Sequence, residues 1–182
     1  MRIRRRETVK FELTEDEERE VQALSQQAHP ESTVVDIADA HPDSWPILFA
    51  ITVPASVESG FGEVAYTYAR KALQLRPEDP RSKFLLVQVY QLLSLAAAHD
   101  GTDTFERVQR MRGHRGPIEN PGADMAEALD VLGLSIDHVL REQQAMIREL
   151  LALKVDRETQ RVLERVSNLT RLAVDMRAGK FR

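Results

Sequence analysis

The sequence predicts a mainly α protein with a small N-terminal β element: a helical bundle that includes a long C-terminal antiparallel helical hairpin. Three observations predict this fold class. From Met125 to Met176 the apolar positions keep a nearly unbroken 4,3 spacing, the mark of amphipathic helices packed along a seam; in the second half that seam is expected to be Val155, Thr159, Val162, Val166, Leu169, Ala173 and Met176. A break at Lys154-Val155-Asp156 divides that run, so its halves fold back on each other. Near the N-terminus, Thr8 to Leu13 alternates with period two, as a half-buried strand does.

Composition then limits the function classes. An apolar fraction of 42% supplies a real core, and with aromatics at 5% that core must rest on Leu, Val, Ile, Ala and Met. The formal net charge of -4 argues against a globally basic nucleic-acid binder and leaves room for local basic patches. The chain has no cysteine, which removes disulfides, Cys-ligated zinc, iron–sulfur clusters and thiol catalysis, and fits a reducing cytoplasm, the expected location. The basic N-terminus is not followed by the apolar stretch of a signal peptide. The longest apolar run, Ile47 to Val53 with Thr52 counted in, is far short of the roughly 20 residues of a membrane span. No membrane partner is expected.

Three segments organise the chain. Residues 1–60 form an arm, strand and helix region, and 61–116 a central helical hairpin with a basic loop. Residues 121–182 form the C-terminal hairpin, expected to make one compact unit with 61–116.

In the first segment Val9, Phe11 and Leu13 point one way and Thr8, Lys10 and Glu12 the other. Thr14 then caps a helix to about Gln27, and Glu17 completes a capping box. Acidic residues Glu15 to Glu18 suit the positive end of its dipole. A second short helix, capped by Ser32, is cut off by Pro42. Trp45, the single tryptophan, is expected to anchor its loop in the core. Periodicity does not separate strand from helix for 47–53; the flanking prolines at 46 and 54 tilt the expectation to strand. Asp36, Asp39, His41 and Asp43 have the chemistry of a divalent-cation cluster, but acidic helix ends and turns commonly look the same, and no metal site is assigned.

The central segment gives an amphipathic helix with Ala65, Tyr68, Ala69, Ala72, Leu73 and Leu75, ending at Pro77. Asp79 and Pro80 then start a helix that is apolar on nearly every side to about His99, the expected buried centre. Thr104 to Arg112 predicts a short helix before Gly113. Gly116-Pro117 and Asn120-Pro121-Gly122 form the clearest linker. Within the C-terminal run, Gly133 predicts a kink or a break, with Ser135 placed to cap a restart. Gln143 is a lone polar residue in the seam, roughly opposite Val166, and Asp156 caps the last helix.

Four partial resemblances accompany these readings. The basic arm, strand and acid-capped helix resemble the opening of a ribbon-helix-helix DNA-binding domain, which implies strands paired across a dimer in the major groove. Ala65, Ala72, Pro77, Leu86 and Tyr90 fall near the spaced positions of a tetratricopeptide unit; over about 30 residues this implies a packed helical hairpin. His99-Asp100 resembles the His-Asp pair of HD-type metal phosphohydrolases, though no histidine lies between His41 and His99 to complete the ligand set. The combination of basic elements with a helical hairpin is similar in architecture to small DNA-packaging terminase subunits of phages.

No triad, phosphate-binding glycine loop, zinc motif or dinucleotide fingerprint is present, so no catalytic residue, metal or cofactor is assigned and an enzyme is not expected. The first expectation is a non-catalytic helical assembly or adaptor protein that homo-oligomerises through its C-terminal hairpin. Its interface would include Ile136, Leu140, Gln143, Ile147, Leu151, Leu163 and Leu172, because the apolar stripe is too wide for two helices to cover. Another protein partner is compatible with the same surface. The alternative is a nucleic-acid-associated oligomer of the phage or mobile-element type, using Arg2, Arg4, Arg5, Arg6 and Lys10 with Arg107, Arg110, Arg112 and Arg115. An HD-like hydrolase using His99 and Asp100 is the third.

Overall fold

The computed structural model describes residues 8–55, 62–96, 115 and 122–178. Capping residues, prolines and one glycine turn divide these into eight helices: α1 (Glu15–Gln27), α2 (Val34–Ala40), α3 (Trp45–Ala55), α4 (Gly62–Leu75), α5 (Pro80–Leu93), α6 (Gly122–Val131), α7 (Ile136–Leu151) and α8 (Arg157–Arg177). The protein is mostly helical, as the periodicity predicts.

The starts of these helices follow from side chains that satisfy their free N–H groups. Thr14 and Glu17 form the expected reciprocal capping box on α1, at 2.9 and 3.3 Å. The α2 cap is Thr33, one residue beyond the expected Ser32, with Asp36 completing a second box. Asp79 caps α5 with Pro80 in the first turn, where its missing N–H costs nothing. The 4,3 run does break near Gly133. Its φ of +64° lets Leu134 N–H reach Leu129 C=O at 2.9 Å, a Schellman ending for α6. Ser135 then caps α7, accepting from His138 N–H at 3.2 Å.

Two expectations need correction. The N-terminal β element is reduced to one isolated bridge between Val9 and Val155, and no strand lies among the described residues. Val9 N–H reaches Lys154 C=O at 2.9 Å, but Val155 stands in the short turn between α7 and α8, so no second strand exists to extend the ladder. The period-two alternation is real as burial: Phe11 is buried, Val9 and Leu13 pack on the core, and Thr8, Lys10 and Glu12 are exposed.

The second correction is residues 47–53, which lie in helix α3 and not in a strand. Helix gives the run what a strand would need neighbours to supply. Ser44 C=O accepts from Leu48 N–H, and the buried Thr52 hydroxyl donates to Leu48 C=O at 2.6 Å within the same helix. The elements packed on α3 are the helices α1, α2, α4 and α5. A buried helix needs no polar face, which is why this one carries no readable period.

The core centres on α5, which touches α3, α4, α6, α7 and α8. Its Leu85, Leu86, Val87, Val89 and Leu93 are fully covered. Each contributes about 1.5–3 kcal/mol relative to an exposed side chain. At the near end of α4, a methyl group on Gly62 would stand 3.1 Å from Leu93 Cδ2 and 3.3 Å from Met125 Sδ, so glycine allows that close approach.

Where α1, α3 and the α4–α5 turn meet, a part-buried ionic cluster forms around the buried Glu17. The Glu17 carboxylate accepts from Arg76, and from Arg81 at 2.6 and 3.1 Å. Arg81 also pairs with Asp79 at 2.7 Å and donates to Glu12 C=O at 3.1 Å. Both guanidinium groups lie over the Trp45 ring, at 4.3 and 4.5 Å from its centroid. Trp45 Nε1–H donates to Ser82 Oγ at 2.8 Å, and Ser82 passes a hydrogen bond to Ala72 C=O. Burial opposes ionisation of Glu17, but the hydrogen bonds from Arg81, Thr14 and Arg76 outweigh it and hold the carboxyl down to about 2.

Because that pKa lies below its unfolded value of 4.5, Glu17 stabilises the fold above pH 4.5, and this stabilisation is lost as pH falls towards 2. At about 1.4 kcal/mol per pH unit the contribution is about 3–4 kcal/mol. We predict that Glu17→Gln lowers stability at neutral pH by about 2–4 kcal/mol and flattens the acid limb of the stability curve. Urea denaturation between neutral pH and pH 3 measures both effects. An unchanged acid limb would show that the cluster does not carry that pH dependence.

Candidate functional site

The C-terminal hairpin is built on two caps and one seam. Asp156 Oδ1 accepts from Glu158 and Thr159 N–H, both at 2.9 Å, and Thr159 Oγ1 donates to Asp156 Oδ2 at 2.6 Å. These bonds, that from the Thr159 hydroxyl first, hold the Asp156 carboxyl below its ordinary value. At the far end Arg177 meets Asp137 at 3.3 Å, joining the end of α8 to the start of α7.

Helix α8 carries two parallel 4,3 stripes. The inner stripe is Thr159, Leu163, Val166, Thr170 and Ala173; all but the half-buried Thr159 are buried, and α8 packs chiefly on α7. Thr170 is accepted there because its hydroxyl donates to Val166 C=O at 2.9 Å. The outer stripe is Glu158, Val162, Arg165, Leu169 and Leu172, and every one of these is exposed. Val162 and Leu169 are each 38% exposed and Leu172 41%, high values for aliphatic side chains at helical spacing. At the other side of the turn, Leu151 and Leu153 are also exposed. The helix is therefore rotated from the expected seam: Leu163 and Thr170 face inward, and Val162 and Leu169 face out.

Among the seven residues expected at an oligomer interface, Ile136, Leu140, Gln143, Ile147 and Leu163 are buried within the chain's own core, and Leu151 and Leu172 are exposed. Gln143 is fully covered but turned to α5: its Nε2 donates to Val87 C=O at 3.2 Å and to Gln91 Oε1 at 3.4 Å. Its Oε1 is a buried acceptor with no hydrogen-bond partner. Of the basic residues, Lys10 and Arg115 are described and exposed, while Arg2, Arg4, Arg5, Arg6, Arg107, Arg110 and Arg112 lie outside the described residues, as do His99 and Asp100.

The acidic stretch 36–43 is divided among local partners. Asp36 serves the Thr33 cap, Asp39 accepts from the Tyr68 hydroxyl at 2.8 Å, and Asp43 pairs with Lys71 at 3.1 Å. Burial and then Asp39 push the Tyr68 hydroxyl up to about 12. Among the described residues no group of three His, Asp or Glu side chains is gathered as a metal site. None of their helices is long and apolar enough to cross a membrane. No protein-family model, curated protein or solved structure matches this chain.

The cationic partners of Trp45 are not legible in the sequence. Glu17 was visible as a capping-box residue, but nothing in its spacing announces Arg76 and Arg81. The outer stripe is likewise hidden, because Val162 and Leu169 fit the inner seam equally well by period. Arg165, an exposed charge at a stripe position, is the one signal that separates the two.

The unpartnered Gln143 acceptor gives a prediction. An unsatisfied buried acceptor costs about 1–3 kcal/mol. Methionine nearly matches glutamine in volume, and the Val87 carbonyl lies inside α5, where it keeps its helical bond. Gln143→Met should therefore raise stability by about 1 kcal/mol, and Gln143→Ala should lower it by opening a cavity. Thermal melts of the two variants check this; destabilisation by methionine would mean that Oε1 is satisfied after all.

Proposed function

We propose that this chain is a non-catalytic assembly protein that joins copies of itself through the C-terminal hairpin. The observation that carries the reading is the outer stripe of α8. Its Val162, Leu169 and Leu172 repeat at coiled-coil spacing, stand exposed in the single chain, and lie beside an inner stripe already committed to α7. A self-association surface explains why a helix should carry two such stripes. Within this reading Leu151 and Leu172 keep the interface role, while Ile136, Leu140, Gln143, Ile147 and Leu163 build the hairpin that presents it.

The titratable groups with shifted pKa values support the same reading. Burial, followed by the Asp39 hydrogen bond, raises Tyr68, and burial raises Tyr90. In Glu17 and Arg81 burial is outweighed by the ion pairs and hydrogen bonds of the cluster, and the cap hydrogen bonds lower Asp36 and Asp156. A cytoplasmic setting belongs to the proposal, since a cysteine-free chain has no need of an oxidising compartment.

The test separates surface from core. Leu169→Glu with Leu172→Glu should leave a folded monomer by light scattering, with a dilute-solution melting temperature within a few degrees of the unmodified chain. Leu163→Ala, one helical position from Val162, should instead cost about 2–5 kcal/mol of stability. If the double glutamate variant keeps the mass of the unmodified protein, the outer stripe is not the interface.

A further inference from the structure

We infer that α8 pairs antiparallel with α8 of a second copy, about a two-fold axis near Asn168. This rests on the proposed self-association through the outer stripe and adds its geometry. The position of Arg165 decides the direction. In the middle of the stripe, it would stand opposite Arg165 of a second copy in any parallel, in-register pair, placing like charges face to face across the seam.

Reversing the second helix removes that clash. Layers that set one stripe position against another then bring Val162 against Leu172 of the second copy, and Arg165 against Leu169 of the second copy. In the second layer the aliphatic stem of arginine covers the leucine while its guanidinium reaches solvent. The flanking positions agree. Arg161, Asn168 and Asp175 follow each other at intervals of seven along one edge of the stripe. In the antiparallel register Arg161 of each copy lies beside Asp175 of the other, and the two Asn168 residues meet at the axis. Asp175 already has an interaction within its own chain, and a carboxylate with two oxygens accepts a further donor. A parallel pair offers no such match, since this edge would then face the opposite edge of the second helix, where Thr159, Val166 and Ala173 carry no charge. The arrangement is isologous, so it closes as a dimer of α8 faces and leaves no open end.

The absence of cysteine makes the direction directly measurable. Single-cysteine variants Val162→Cys, Leu172→Cys and Asn168→Cys are made in the full chain and oxidised. The antiparallel pair predicts that Asn168→Cys forms a disulfide with itself, and that Val162→Cys and Leu172→Cys form a mixed dimer but little homodimer. Homodimeric disulfides from Val162→Cys and from Leu172→Cys separately, with no mixed preference, would overturn the orientation and leave self-association through the stripe standing. A chain that stays monomeric at every concentration, with no disulfide from any variant, would overturn both. Charge reversal gives a second readout: Arg161→Asp should weaken the dimer several-fold, and Arg161→Asp with Asp175→Arg should restore it.

Discussion

The fold hinges on a single buried carboxylate. Glu17 caps its own helix and at the same time receives Arg76 from the end of α4 and Arg81 from the start of α5, which tie α1 to the central helices. A charge taken out of water is tolerable only when it is fully paired, and removing one member leaves the others exposed to the desolvation penalty alone. Trp45 lies under both guanidiniums and hydrogen-bonds to Ser82 in α5, so α3 is held by the same contact. From the cluster the dependence runs outward. Arg81 holds the Glu12 carbonyl, Phe11 packs on Phe84 with ring centroids 4.6 Å apart, and Val9 bonds to the turn of the C-terminal hairpin. A short extended segment thus links the ionic cluster to the hairpin's tip.

At the hairpin, the helices serve separate purposes. Helix α7 is covered broadly, by α5 on one side and α8 on the other, and spends its apolar residues on the chain's own core. Among the described residues, helix α8 is buried chiefly along its inner stripe. The inner stripe tolerates two threonines because α7 already supplies most of the apolar burial, and because the Thr170 hydroxyl finds a carbonyl in its own helix. The outer stripe carries the larger aliphatic side chains at the exposed positions, the reverse of what a helix on the edge of an isolated bundle needs.

Much of this architecture was legible in the sequence because it depends on local chemistry. The α1 capping box, the Asp79-Pro80 start of α5, the restart at Ser135 and the two hairpin helices all follow from residues within one or two turns of each other. What escaped depends on partners distant in sequence. The N-terminal alternation placed Val9, Phe11 and Leu13 on the covered side, yet a strand requires a second extended segment, and only Val155 was there to bridge. The run from Ile47 to Val53 has no period because α3 is surrounded, so its helical state is set by capping and packing. The candidate surface was half legible. The width of the apolar band showed that one hairpin could not cover it, but two overlapping 4,3 patterns on α8 differ by a single residue of rotation, and period alone does not choose between them.

If the exposed stripe of α8 meets a second copy of the chain, the mass in solution must depend on concentration, and sedimentation equilibrium of the unmodified chain over a wide concentration range measures it. Reversible association from the 20.7 kDa chain to a defined multiple of that mass is expected. A single 20.7 kDa species at every concentration would contradict it.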